Sequence, residues 1–595
     1  MKTKFILFVF SSIWLALIVR VYFLSVSSNS YYDKLSLNNT IRTELIAPVR
    51  GEIVDRNNKP IAINKLGFKI TLKPHLKRKK NKKMFEEELA FLKKTLPQLD
   101  IKKMKKNYLK KDSFYNHDYI EIVDFIPYKD VMPVYSIINL RDNIHIVPAP
   151  KRYYPYKDVA AHLIGYVSRA NRKDIEKEKL LGLIGSMGKT GIEKYYNSYL
   201  QGEAGERKVK VNASNQTVEE LAYIPSVENK KLTLSIDMEL EKYIQSLFKG
   251  KVGAVIVMNV NGAILSANSF PSYDLNIFVS GMSYKMYNEL ADDPDHPFTN
   301  KLVNGLYPPG SVIKPALGLV YISTDIDEHW TVNCRSHLPL GKRIFRCWKK
   351  RGHGKTDIIK AIRESCDDYF YKASLEVGNQ KMSEGLLRYG LGAKTGVDLP
   401  NEFIGIVPSR EWKRRKYNRA WNVGETLNTS IGQGDFLVTP MQIAQLTALV
   451  ATGKLPTPHF AQKIGDTYYE PKYEFVLNQK EMLKLPIIQE AMYQTCNSYP
   501  STAKKFVRLS KVTIAGKTGT AQVIGIKQNI KKRKHEHELD FYDRSHAWFT
   551  SYGPYNNPQY IVLAMVEHGG HGGSAAGKII SKIYNKLLEF GYIEE

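Results

Sequence analysis

Ser311-Val312-Ile313-Lys314 sets a hydroxyl and an amine three residues apart, one helical turn, so both side chains lie on the same face. A serine becomes a nucleophile when a neighbour takes its proton, and a lysine in a dry pocket loses enough basicity to be that neighbour. Spacing alone is weak, because Ser186/Lys189, Ser246/Lys249 and Ser501/Lys504 repeat it. Context separates the copy at 311. Tyr307-Pro308-Pro309-Gly310 stops the preceding segment, and Pro315-Ala316-Leu317-Gly318-Leu319 continues as an apolar helix. Ser311 is thereby predicted at a helix N-terminus, where unpaired N–H groups and the positive dipole end can stabilise an oxyanion. The bland alternative is a serine cap with a solvated lysine. Two further segments argue against it. Ser365-Cys366-Asp367 supplies a second hydroxyl 54 residues on. Lys517-Thr518-Gly519-Thr520, following Val512-Thr513-Ile514-Ala515-Gly516, is predicted as an edge strand carrying a cation and two hydroxyls. Gly519 there allows close approach of a ligand backbone.

These groups need a scaffold, and the pattern from Leu232 onwards predicts one. Leu232, Leu234 and Ile236 alternate with polar residues as a half-buried strand, and Asp237 caps a helix over 238–248. Strands over 253–260 and 263–267 flank an Asn261-Gly262 turn. Strands over 547–552 and 561–566 precede a closing helix from Ala575. The expected class is α/β (α+β), with one antiparallel sheet flanked by helices over 232–595.

At the other end, Phe5 to Val19 is apolar, and Val21 to Leu24 extends it to the length of a bilayer span. Lys2 and Lys4 precede it, so residues 1–4 are expected in the cytoplasm, 5–24 in the inner membrane and the rest in the periplasm. Arg20 can snorkel to the outer interface. A cleaved signal peptide ending near Ser25-Val26-Ser27 is the alternative; the anchor is favoured because the apolar stretch exceeds a signal's usual core. Chemistry outside the cytoplasm has no ATP and must use energy stored in its substrate.

Composition narrows the classes further. The 595 residues carry 87 Lys+Arg against 59 Asp+Glu, net +28, and are 43% hydrophobic, which excludes a disordered chain. Four cysteines exclude a disulfide scaffold. Residues 65–111 hold 17 Lys+Arg against 4 Asp+Glu. Few aromatics are interleaved there, so nucleic acid is not the expected partner. A solvated face is favoured over attraction to anionic lipid or an acidic polymer.

Ser-x-x-Lys, a Ser-x-Asn-like triplet and Lys-Thr-Gly in this order are the motif set of penicillin-binding proteins and class A β-lactamases. The chain resembles the class B penicillin-binding proteins of the elongation type. Arg50 to Arg56, Arg152-Tyr153-Tyr154-Pro155-Tyr156, His162 to Val167 and Gly188 to Gly202 are similar to the family's N-terminal box and non-catalytic pedestal. Ile431-Gly432-Gln433-Gly434 is similar to its catalytic domain, and aspartate at 367 fits the elongation type, where division types usually have asparagine. The Lys-rich insert at 65–111 has no counterpart residue by residue.

The resemblance implies a penicillin-binding transpeptidase fold, with a pedestal over 26–231. It also implies a mechanism. Ser311 attacks the penultimate D-Ala carbonyl of a peptidoglycan stem peptide with Lys314 as general base, and the N–H groups of Ser311 and Thr520 form the oxyanion hole. Ser365 hands the proton to the leaving amine, while Lys517 with the Thr518 and Thr520 hydroxyls binds the terminal carboxylate. A neighbouring stem's amine then resolves the acyl-enzyme into a cross-link. β-Lactams would acylate Ser311 and stay, since the three motifs contain no deacylating glutamate. Implied partners are a SEDS-family glycosyltransferase and elongation-complex scaffold proteins. A carboxypeptidase or β-lactamase would not need the anchor and pedestal. A β-lactam sensor would need a cytoplasmic domain, and about four residues precede the span.

Cys334, Cys347, His353 and Cys366 follow the spacing Cys-x12-Cys-x5-His-x12-Cys. Three thiolates and an imidazole suit a structural zinc site. The resemblance supports this, since some elongation-type relatives hold zinc beside the middle motif. A Cys334–Cys347 disulfide with a buried Cys366 is the other option; zinc is favoured. Catalysis is expected to need no cofactor. Cys496 is expected to be buried, and His535, His537, His568 and His571 to be solvent or loop residues.

Overall fold

The computed structural model describes residues 2–27, 40–116, 119–211, 217–227, 230–525 and 534–594. It contains two compact units. One comprises residues 1–51, 170–186 and 201–229, and the other comprises 52–169, 187–200 and 230–595. This division does not follow the expected boundary at 231/232.

In the smaller unit a helix runs Lys2–Tyr22 and continues as one wide turn to Ser27. Its apolar stretch, Thr3–Val26, is 24 residues long, enough to cross a bilayer at about 1.5 Å per residue. It starts before residue 5 because Lys2 and Lys4 join the first turn. A three-stranded antiparallel sheet, Ile41–Ile46, Gly205–Val211 and Thr217–Ile224, completes the description of this unit.

In the larger unit the principal sheet comprises β1 (Gly253–Asn259), β2 (Ile264–Phe270), β3 (Ala515–Ala521), β4 (His546–Gly553) and β5 (Tyr560–Val566). Its spatial order is β2-β1-β5-β4-β3, antiparallel throughout. The helices used below are α1 (Met238–Leu247), α2 (Lys314–Ser323), α3 (Asp367–Arg388), α4 (Arg410–Tyr417), α5 (Val423–Ser430), α6 (Pro440–Thr452), α7 (Gln479–Asn497) and α8 (Gly572–Glu589). Both sheet faces are covered, so β1 and β5 are runs of apolar residues rather than alternations. Ile256 and Leu563 pack in the same core as residues of α2, α3 and α6, while Val257 and Val562 pack with residues of α1 and α8. Leu563 is fully buried on the central strand. Leu563→Ala is expected to cost about 2–5 kcal/mol, measured as a fall in the melting temperature of the full chain.

Two details differ from the sequence reading. The β1–β2 connection spans Val260–Ala263, with Asn259 Oδ1 accepting from the N–H groups of Asn261 and Ala263, so the return strand starts one residue later and runs to Phe270. Leu232–Leu234 does not join the principal sheet. It pairs in parallel with Ile53–Val54 and antiparallel with Ala461–Ile464. Next to this pairing, fully buried Asp55 accepts from the backbone N–H of Met238 at 3.2 Å, and Asp237 caps α1 through Glu239 and Leu240. Residues 52–56 of the box are thus built into the start of α1.

The Lys-rich stretch is a folded part of this unit. Strands Gly67–Leu72, Ile120–Pro127 and Ile144–Pro148 form a sheet, and helices Lys82–Thr95 and Ile101–Lys111 share a core with it. Phe85, Leu89, Leu92 and Leu96 recur at helical spacing, and the Phe85 and Tyr108 rings lie 4.6 Å apart. Most of the lysines occupy the opposite, solvated faces.

Candidate active site

Ser311 lies in a tight helical turn, Gly310–Ile313, that leads directly into α2. Gly310 has φ +55°, and its N–H donates to Gly432 O at 2.9 Å. A Cβ at Gly310 would lie 2.7 Å from Thr520 O and 3.3 Å from Thr520 N, so only glycine lets this turn abut β3. Gly519 is equally constrained, with Val312 Cγ1 2.9 Å from where its Cβ would sit. Gln433 Nε2 donates to Thr520 O at 3.2 Å. Backbone fit at three points therefore fixes the Ser311 turn against the edge strand that carries Lys517 to Thr520.

Ser365 links the remaining groups. It sits at φ +57°, uncommon for a residue with a Cβ and costing about 1–3 kcal/mol. Its carbonyl accepts from Lys314 Nζ at 3.1 Å and from Trp348 Nε1 at 3.1 Å. Its hydroxyl lies 3.4 Å from Lys314 Nζ and 3.0 Å from Lys517 Nζ. Lys314 is fully buried and pairs with Asp367 Oδ1 at 2.7 Å. Asp367 Oδ2 accepts from the Trp348 N–H at 3.1 Å. Burial raises the Asp367 carboxyl against the opposing pull of the Lys314 ammonium.

Two placements depart from expectation. Among the described residues, Lys314 Nζ makes its hydrogen bonds to Ser365 and Asp367, not to Ser311 Oγ. Lys517 does not face outwards towards a substrate carboxylate; it is fully buried, bonded to Ser365 Oγ and to Thr518 O at 2.9 Å. Burial, reinforced by the Lys314 charge, drives the Lys517 amine well below 10.5. Lys314 has a carboxylate partner, and burial pushes Lys517 towards neutrality. A neutral amine on the Ser365 hydroxyl can accept and return a proton.

The sign of the pH dependence follows from this. The unfolded chain holds the Lys517 proton up to about pH 10.4, while the folded chain releases it earlier, so stability rises with pH between those values and the full burial cost is felt below them. If the neutral amine relays protons, acylation by penicillin rises with pH through the same range. Lys517→Arg, which keeps the charge permanently, is expected to slow acylation by about 10²-fold and to remove that rise, as read by stopped-flow rates over pH.

Cys334, Cys347, His353 and Cys366 come together, all buried, with their ligand atoms within 4.8 Å of one another. His353 Nδ1 lies 3.5 Å from both Cys334 Sγ and Cys347 Sγ. No disulfide joins Cys334 and Cys347; both are free. Hydrogen bonds among the three thiols lower Cys334 and raise Cys366. This group of donors can hold a metal ion. It is joined to the candidate site by sequence and by contact: Cys366 stands between Ser365 and Asp367, and the Asp367 N–H lies 3.4 Å from Cys347 Sγ.

Two of the other three Ser-x-x-Lys copies have local explanations. Ser501 Oγ accepts from the Lys504 N–H as a cap, and Ser246 Oγ bonds back to Tyr243 O on the surface of α1. Two neighbours of the site carried no chemical signal in the sequence. Thr502 Oγ1 accepts from Thr518 Oγ1 at 2.8 Å, and Trp348 bonds both Ser365 and Asp367. Gln433 lies within the quoted Ile431 to Gly434 stretch, although spacing gave it no role. Cys496 is buried as expected.

The Ser311 turn is thus held against an edge strand of one antiparallel sheet covered by helices on both faces, an arrangement suited to serine acyl transfer. The family model for the penicillin-binding protein transpeptidase domain matches residues 252–588, and that for the penicillin-binding protein dimerisation domain matches 45–234. The peptidoglycan D,D-transpeptidase MrdA of Haemophilus influenzae is 33% identical over 96% of this chain and 89% of its own length. Among solved structures, the penicillin-binding protein PBP2 of Helicobacter pylori in complex with MreC superposes with a TM-score of 0.85 at 42% identity, covering 93% of this chain and 99% of that one. Pseudomonas aeruginosa PBP2 in complex with WCK 5153 gives 0.69 at 29% identity, covering 92% and 97%. The chain therefore belongs to the penicillin-binding protein transpeptidases, in the family of the relatives named peptidoglycan D,D-transpeptidase MrdA.

Proposed function

We propose that this chain is a peptidoglycan D,D-transpeptidase of wall elongation and a covalent target of β-lactams. The observation that carries the reading is the placing of Ser365 Oγ between two buried lysine amines beside the Ser311 turn. Ser311 Oγ attacks the penultimate D-Ala carbonyl and its proton enters the Lys314–Ser365–Lys517 group. Ser365 delivers it to the departing D-Ala amine, and the Ser311 ester forms as the peptide bond breaks. The Thr520 hydroxyl, and the Thr518 hydroxyl once it turns from Thr502, receive the terminal carboxylate, with Lys517 behind them. The amine of a second stem then forms the new peptide bond and frees Ser311. The test is incubation of full-length protein in detergent with a D-Ala-D-Ala-terminated stem peptide and an amine acceptor. Released D-Ala matched by cross-linked dimer is expected; release without dimer would identify a carboxypeptidase.

The N-terminal helix serves as the anchor in this reading, with the pedestal over 26–231 and the catalytic domain over 232–595 in the periplasm. The two family-model matches, 45–234 and 252–588, support that functional division. Partners are a SEDS-family glycosyltransferase and a scaffold protein of the elongation complex; the H. pylori relative's complex with MreC supports the second.

The buried Cys334, Cys347, His353 and Cys366 group is proposed to bind structural zinc. Bonds of about 2.3 Å to sulfur and 2.0–2.1 Å to nitrogen at tetrahedral angles separate N from S by about 3.5 Å. The two His353 Nδ1–Sγ distances are 3.5 Å. Zinc would replace the protons shared among the thiols and fix the wall that carries Ser365 and Asp367; the acyl-transfer steps use the side chains alone.

A further inference from the structure

A dense cluster of basic residues near the candidate catalytic groups lies on two short elements that the chemistry does not use. Residues 335–351 contain seven Lys/Arg and no Asp/Glu, and residues 410–419 contain six against one, so these 27 residues carry net +12 of the chain's +28. The first stretch includes a hairpin, His337–Leu340 with Arg343–Arg346, and the second is α4 with its C-terminal extension. Lys342, Arg343, Lys350, Arg414, Arg415 and Arg419 are all exposed. Nearby carboxylates are already engaged: Asp367 by Lys314, Glu364 by Lys349, and Glu425 by Lys413.

The fold places both elements around one helix. Phe345 of the hairpin packs on Tyr371 of α3 with ring centroids 5.7 Å apart, and its Cζ would lie 3.2 Å from a Cβ at Gly424 in the first turn of α5. Lys413 of α4 pairs with Glu425, also in the first turn of α5, at 2.5 Å. The hairpin and α4 therefore flank the N-terminal end of α5. Beyond its other end, α5 leads to Gly432, whose carbonyl holds the Ser311 turn. The hairpin strand also runs directly into Trp348, which bonds Asp367. The basic face is thus continuous in structure with the Ser365–Asp367 wall.

Crowded like charges repel one another and attract anionic partners. We propose that this face is a docking surface for a carboxylate-rich strand of the wall beside the cleft. The proposal rests on the transpeptidase reading above for the identity of the polymer. Stem peptides carry free carboxylates along their length, and arginines and lysines spaced over two elements suit repeated, flexible carboxylates better than one small anion.

The test uses full-length protein carrying Ser311→Ala, so that binding is measured without turnover, and co-sedimentation with purified sacculi at low and high salt. K342E/R343E/K350E is expected to lower the bound fraction about tenfold at low salt, with R414E/R415E/R419E behaving alike. Sacculi whose carboxylates have been amidated should bind as weakly as the variants do to native sacculi. A K82E/K83E/K103E control on the basic helices of the 67–148 region should bind normally. Unmelted protein is verified by thermal denaturation, and the neutral K342Q/R343Q/K350Q variant replaces any reversal that fails to fold. Binding to sacculi that survives both triplets, or is indifferent to amidation, overturns the proposal. So does loss of binding to phosphatidylglycerol vesicles with sacculus binding intact, which would assign the face to lipid. Penicillin acylation of the Ser311 protein is scored separately, so loss of the enzymatic reading is distinguishable from loss of the surface.

Discussion

Ser311→Ala is expected to abolish labelling by fluorescent penicillin, because removing the nucleophile of a serine acyl-transfer enzyme lowers its rate by a factor on the order of 10⁶. The loss should be one of chemistry and not of folding. Ser311 sits on the turn that Gly310, Gly432 and Thr520 hold by backbone contacts, and alanine keeps those contacts. Ser365→Ala should retain weak labelling, slowed by about 10²–10⁴-fold, since it breaks the relay while leaving nucleophile and turn in place. Ser246→Ala, in an exposed Ser-x-x-Lys with only a local bond to Tyr243 O, should label like the parent. The measurement is in-gel fluorescence with time, alongside mass spectrometry of the intact chain. Undiminished labelling of Ser311→Ala would remove the catalytic assignment.

The second large effect concerns the buried thiols. If zinc occupies the Cys334, Cys347, His353 and Cys366 group, elemental analysis of protein purified without chelator should find about one zinc per chain, the capacity of a closed four-donor site. Its removal should lower stability by about 3–4 kcal/mol for a site held at 100–1,000 times its dissociation constant, a fall of about 5 °C in melting temperature for a domain of this size. Acylation should fall with it, because Cys366 separates Ser365, held at φ +57°, from Asp367, the partner of Lys314. Cys347→Ser should reproduce both losses without a chelator. Protein free of zinc whose melting point and acylation ignore chelation would sink the assignment.

The sequence made some of this legible and hid the rest for identifiable reasons. Asp237 as a cap, β3 as an edge strand and the two-sided burial of the sheet follow from local rules of capping, glycine placement and hydrophobic patterning, and they stand where those rules put them. Leu232–Leu234 was misplaced because alternation identifies a strand and not its neighbours; its partner Ile53–Val54 is about 180 residues away. The surroundings of the Lys517 amine were not legible for a related reason. A lysine in a Lys-Thr-Gly strand looks the same whether its amine meets solvent or Ser365, and only the packing of 365 against 517 decides between them. The lysine-rich helices keep their charges on solvated faces, as expected, and four or five well-spaced apolar residues decide that they fold.

The pairing of Ile53–Val54 with Leu232–Leu234 has a practical side. A soluble fragment cut at the motif-defined boundary, residue 232, would strip this strand of one neighbour and α1 of the Asp55 acceptor beneath Met238. Truncations meant for crystallography or inhibitor screening should therefore begin ahead of residue 52, keeping this N-terminal piece as an integral staple of the catalytic half.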